Sequence, residues 1–126
     1  MPGVKDWLKK ASNDLKASKK LSDDNETFDC SVFHTHQCAE KVLKAFIVSV
    51  GEVVPKTHDL SFLLARCVEI DSLLLVLFDD SKSLDKYGYD SRYPNDRFYV
   101  DQYKVLTSIE VAERIFFTIK NKVNKG

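Results

Sequence analysis

Six apolar residues near the C-terminus, Val105, Ile109, Ala112, Phe116, Ile119 and Val123, follow one another at spacings of 4, 3, 4, 3 and 4. That period fits the α-helix, so about Asp101 to Val123 is predicted to be one long helix with a single apolar seam. Such a seam has to be buried against other elements. The remaining chain offers partners of the same kind. Leu8, Ala11, Leu15 and Ser18 recur at three and four residues between Val4 and Leu21, and Ser22-Asp23-Asp24-Asn25 then competes for backbone hydrogen bonds and ends that helix.

A second helix is predicted from Phe28, Val32, Ala39, Val42, Phe46 and Val50, a stripe broadened by Leu43 and Ile47, with Gln37, Lys41 and Lys44 on its other face. Gly51 is placed to stop it and Pro55 blocks its immediate continuation. Thr57 is expected to cap a third helix carrying Leu60, Leu63, Leu64, Cys67 and Val68. Asp71-Ser72 is expected to cap a fourth through Leu73 to Phe78, whose nearly continuous apolar character implies burial from more than one side. A strand is disfavoured there because leucine outnumbers β-branched residues and no hairpin partner flanks it. Tyr87 to Asp96, with Gly88, Pro94 and Asn95, reads as a loop. Five helices on short connections give an all-α, up-and-down antiparallel bundle, with residues 1–126 as a single domain.

Charge and cysteine content narrow the function classes. Nineteen basic and nineteen acidic side chains cancel, so the whole molecule does not steer polyanions as a dedicated DNA-binding domain does. No run approaches the roughly 20 apolar residues of a membrane span. Lys5, Asp6, Lys9 and Lys10 interrupt any signal-peptide core, which leads to the expectation of a cytoplasmic protein without a membrane partner. Cys30, Cys38 and Cys67 are odd in number and lack a C-x-x-C spacing, so they are expected to be reduced core residues and neither a disulfide framework nor a zinc site. Five tyrosines, Tyr87, Tyr89, Tyr93, Tyr99 and Tyr103, fall within seventeen residues and suit an interface.

Three segments carry a family resemblance. Phe33-His34-Thr35-His36-Gln37-Cys38-Ala39-Glu40-Lys41 resembles the second helix of the HEPN family, where an aromatic-His pair leads into a Gln-x-Ala-Glu-Lys run. Lys56-Thr57-His58-Asp59-Leu60 resembles that family's Thr-His-Asp-Leu start of the third helix, and Ser91-Arg92-Tyr93-Pro94 its Arg-Tyr-Pro motif before the last helix. The resemblance implies a helical bundle, frequently a homodimer, often found beside a minimal nucleotidyltransferase in toxin-antitoxin modules. Many relatives cleave RNA.

Family ribonucleases use an Arg followed four to six residues later by a His. Here His34, His36 and His58 all precede Arg66, the first arginine, so that motif is absent and no residue is assigned as catalytic. The expectation is therefore a partner or regulator of a minimal nucleotidyltransferase that binds no cofactor. RNA remains an open partner, through an alternative in which His34, His36 and Arg92 form a non-standard RNA-cleaving site. A nucleotide ligand is the other open reading, with His34, Gln37, Lys41, Lys44, His58, Arg92 and Tyr93 as candidate binding residues.

Each of these residues also has a structural reading. Lys41, Lys44, Gln37 and Glu40 suit a solvated helix face, and His36 suits a hydrogen bond to Glu40 at i, i+4. Thr57-His58-Asp59 suits a helix start, and Arg92 a loop ion pair with Asp90 or Asp96. A metal site is not expected, because His34 and His36 point about 200° apart around one helix.

Overall fold

The computed structural model describes residues 2–88, 94 and 99–125, with the Lys125 side chain left aside. Among the described residues five α-helices form a bundle: α1 (Val4–Lys20), α2 (Phe28–Ser49), α3 (Leu60–Ile70), α4 (Phe78–Leu84) and α5 (Gln102–Lys125). Short 3-10 turns at Asn25–Thr27, Ser72–Leu77 and Asp85–Gly88 link or extend them. No strand occurs among the described residues.

The central helix is α2, which packs against α1, α3 and α5. Its apolar residues Val32, Ala39, Val42, Leu43 and Ile47 are fully buried and meet Leu15 of α1, Leu63 and Leu64 of α3, and Ala112, Ile115 and Ile119 of α5 in one core. The α5 seam read from the sequence is buried from Val105 to Ile119, with Val123 partly covered. Gly51 ends α2 at φ 80°, a left-handed conformation that favours glycine.

Ion pairs and hydrogen bonds fix helix directions. Ser31 Oγ donates to the Ser18 carbonyl at 2.7 Å while Lys44 lies over the Trp7 ring, so α1 and α2 run antiparallel. The connection from Gly51 to Asp59 returns along the bundle, and α3 starts level with Glu40 at the middle of α2. Asp71 pairs with Lys122 and Asp80 with Arg114, so the stretch from 71 to 84 runs antiparallel to α5.

Four expectations change. The N-cap of α3 is Asp59, whose carboxylate accepts from Phe62 N–H at 3.1 Å; Thr57 instead accepts from the Asp59 N–H. The apolar fourth segment is a 3-10 turn before α4, and only Leu74 and Leu77 are buried, whereas Leu73, Leu75 and Val76 are 73%, 59% and 76% exposed. Asp71 does cap it, accepting from Leu73 N–H. Tyr87 and Gly88 belong to the last 3-10 turn, with Tyr87 buried, while the rest of the predicted loop, Pro94 apart, lies outside the described residues. Cys30 is exposed at the start of α2, unlike buried Cys38 and Cys67, because it faces away from the stripe that meets the core.

Candidate functional site

The antiparallel pairing of α1 and α2 places a carboxylate against the family-like segment. Asp14 sits on the inward stripe of α1, between Ala11 and Ser18, and is 8% exposed. His34 Nδ1 donates to its Oδ1 at 2.8 Å, and Lys41 Nζ to its Oδ2 at 2.6 Å. Burial alone would raise the Asp14 pKa. The His34 and Lys41 contacts outweigh burial and hold the carboxyl below its ordinary value. Because ionised Asp14 can only accept, the proton of His34 resides on Nδ1.

A second cluster of the same composition lies further along α2. Glu40, 3% exposed, accepts from Lys44 Nζ at 3.0 Å and from His58 Nδ1 at 2.8 Å. His58 reaches it from the connection before α3, with most of its own side chain in solvent. The Lys44 ammonium also lies 5.6 Å from the centroid of the Trp7 ring, so a cation–π contact joins α1 to this cluster. Trp7 Nε1 is buried without a hydrogen-bond partner among the described residues.

These contacts revise the reading of α2. Lys44 and Glu40 are buried and form an internal ion pair, and Gln37 and Lys41 are half-buried, so this side is no solvated face. The side-chain partner of His36 is Gln37 Oε1 at 3.2 Å, while Glu40 turns to Lys44 and His58. Burial pushes the His36 pKa below its ordinary value, favouring a neutral ring. Gly88 closes over that ring: a methyl group added there would run into the imidazole, with His36 Nε2 the nearest atom.

The candidate residues therefore separate into groups. His34 and Lys41 share Asp14, Lys44 and His58 share Glu40, and Gln37 turns to His36. Arg92 and Tyr93 lie outside the described residues. No group of metal-ligating side chains able to hold an ion occurs among the described residues. The sequence reading missed Asp14, whose signal was a carboxylate at core spacing on an apolar stripe, and Trp7, whose role depends on a contact with Lys44, far along the chain.

Chemically, two carboxylates and two ammonium groups cancel, and each lysine already has a carboxylate at hydrogen-bond distance. A phosphate entering here meets the Asp14 or Glu40 carboxylate beside each lysine. The seam joins helices before it offers free charge.

The sequence profile of the HEPN domain matches residues 4–122, nearly the whole chain. The chain belongs to the HEPN family. Two solved structures share its fold. The crystal structure of TT1696 from Thermus thermophilus aligns with a TM-score of 0.84 at 25% identity, covering 97% of this chain and 99% of that one. The crystal structure of ST0689, an archaeal HEPN homologue, aligns with a TM-score of 0.79 at 26% identity, covering 98% and 99%. Among curated protein sequences no significant match is found. In this HEPN chain the Gln-x-Ala-Glu-Lys run thus serves at least one definable purpose: its Lys41 holds α1 through Asp14, and its Glu40 holds the α3 entry through His58. No helix among the described residues is long and apolar enough to cross a membrane.

Proposed function

We propose that this HEPN protein is a non-catalytic association module, a homodimer that acts as partner or regulator of a minimal nucleotidyltransferase in a toxin-antitoxin type of system. The observation that carries this reading is a contrast in how the surface is built. Lys41 and Lys44 of α2 are paired internally with Asp14 and Glu40, while Leu73, Val76 and Tyr103 remain largely exposed and Leu106 and Phe117 about half exposed. Apolar area left in water marks a protein contact more than it marks a phosphate site. The absence of an Arg-to-His pair anywhere in the chain supports the non-catalytic part, and the family's association with nucleotidyltransferases supports the choice of partner.

Static light scattering at micromolar concentration tests the reading directly. A mass twice that of the chain is expected; a monomer mass throughout the range would remove its basis.

A second reading, nucleotide binding in the cytoplasm, is favoured by His34 and Lys41. Both keep part of their side chains in solvent while converging on one carboxylate. It requires that Lys41→Ala abolish the heat of an ATP titration, and a wild-type protein without such heat would exclude it.

A further inference from the structure

The helix α5 carries a second seam on its outer side. Tyr103, Thr107, Glu110, Arg114, Phe117 and Asn121 are all exposed and follow one another at spacings of 4, 3, 4, 3 and 4. The buried seam two residues further on has the same spacing and holds α5 to the core. The outer seam is tied to the rest of the bundle through Arg114, which makes a bidentate pair with Asp80 of α4. Tyr103 and Phe117 are 76% and 47% exposed, and Leu106 beside them 49%. The apolar groups on this face, Tyr103, Leu106 and Phe117, are spaced so that another helix can pack across them.

Building on the association reading above, we propose that this outer seam is the surface on which a second copy of the chain packs, with the two α5 helices antiparallel about a twofold axis at the level of Ala112. The central charges select that arrangement. In an antiparallel pair centred there, Glu110 faces the Arg114 of the other copy and Arg114 faces its Glu110; Nε and Nη2 of Arg114 stay on Asp80, and Nη1 is the nitrogen that meets the incoming carboxylate, giving two equivalent ion pairs. Phe117 then meets Thr107, and Tyr103 meets Asn121, so each aromatic ring covers a smaller residue.

The neighbouring surface continues the contact. Val76 is a further exposed apolar group in the stretch that Asp71–Lys122 and Asp80–Arg114 set antiparallel to α5. A polyanion finds no excess of positive charge at the centre of this seam, since Glu110 offsets Arg114 there. Self-complementarity is satisfied by the sign order of two residues one helical turn apart.

The test is a pair of charge variants, Glu110→Arg and Arg114→Glu, studied by light scattering alone and mixed, with circular dichroism to confirm unchanged helicity. Alone, each variant sets like charges opposite each other twice, and dimer affinity is expected to fall about tenfold or more. Mixed, the two restore complementary pairs, and a heterodimer of wild-type affinity is expected. Leu106→Glu, beside the seam and without a charged partner, should weaken dimers with wild-type copies as well. A wild-type dimer indifferent to all three substitutions would overturn the placement at α5 and leave the association reading standing. A wild-type monomer would overturn both and assign the seam to a foreign chain.

Discussion

At the scale of single residues, the structure turns on polar groups placed inside. His36 and Asp14 are two whose protonation is coupled to folding on the acid side of neutrality. The depressed folded pKa of His36 means that its neutral form is favoured in the bundle, so stability is complete above its ordinary value of 6.5 and declines as pH falls below it, because the unfolded chain takes up the proton more readily. Asp14 acts in the same direction at lower pH, its contribution being present above 3.8 and lost as pH falls through the folded value. Denaturant melts from pH 8 to 3 are expected to show stability flat down to about pH 6.5 and decreasing below it. A His36→Gln variant should lose the upper part of that decline; an identical profile in the variant would remove His36 as its source. Gly88→Ala forces a methyl group into the His36 ring and should cost about 1–3 kcal/mol in chemical denaturation, unlike a substitution at open Gly51, whose cost comes from its positive φ.

At the scale of elements, the termini and helix pairs carry testable energies. The first N–H groups of α3 meet two carboxylates, Asp59 from the helix start and Asp85 from the last 3-10 turn, the latter accepting from Leu60 N–H at 2.7 Å and from Ser61 Oγ at 2.7 Å. Asp85→Ala should cost about 1–2 kcal/mol, measured by urea midpoint, because it leaves a helix N-terminus and a hydroxyl without their acceptor. The Glu40–Lys44 pair sets a sharper expectation. Lys44→Met leaves the buried Glu40 carboxylate without its cation and with His58 as its remaining donor, at a cost of about 3–5 kcal/mol, whereas changing both to apolar residues should recover most of the loss. A double mutant as unstable as the single one would contradict that view of the pair.

The periods of α1, α2 and α5 were legible in the sequence because each buried face repeats within its own helix. Asp85 capping α3 was not, since the contact spans 25 residues and leaves no local trace. Leu73 to Val76 misled because an apolar run reads as buried, whereas here a 3-10 turn sends three of its leucine and valine side chains outward. On α2, apolar neighbours marked the stripe, but whether a lysine beside it faces water depends on the carboxylate opposite, and that partner is set by how α1 and α3 pack. The family-like motifs named the right helix and left its electrostatics to be read from the fold.

At the scale of the whole molecule, net charge is zero, and the site residues reproduce that balance locally: Lys41 with Asp14 and Lys44 with Glu40. The bundle therefore leaves apolar and mixed-charge helix surface exposed and keeps Lys41 and Lys44 engaged within. The most direct test of that claim is a calorimetric titration of the wild-type protein and of Asp14→Asn with ATP and GTP. No binding heat is expected for the wild type, while Asp14→Asn, which frees Lys41 and His34 from their carboxylate, should gain weak phosphate-dependent binding. Saturable micromolar binding by the wild type, lost in Lys41→Ala, would contradict it and make the seam on α2 a nucleotide site.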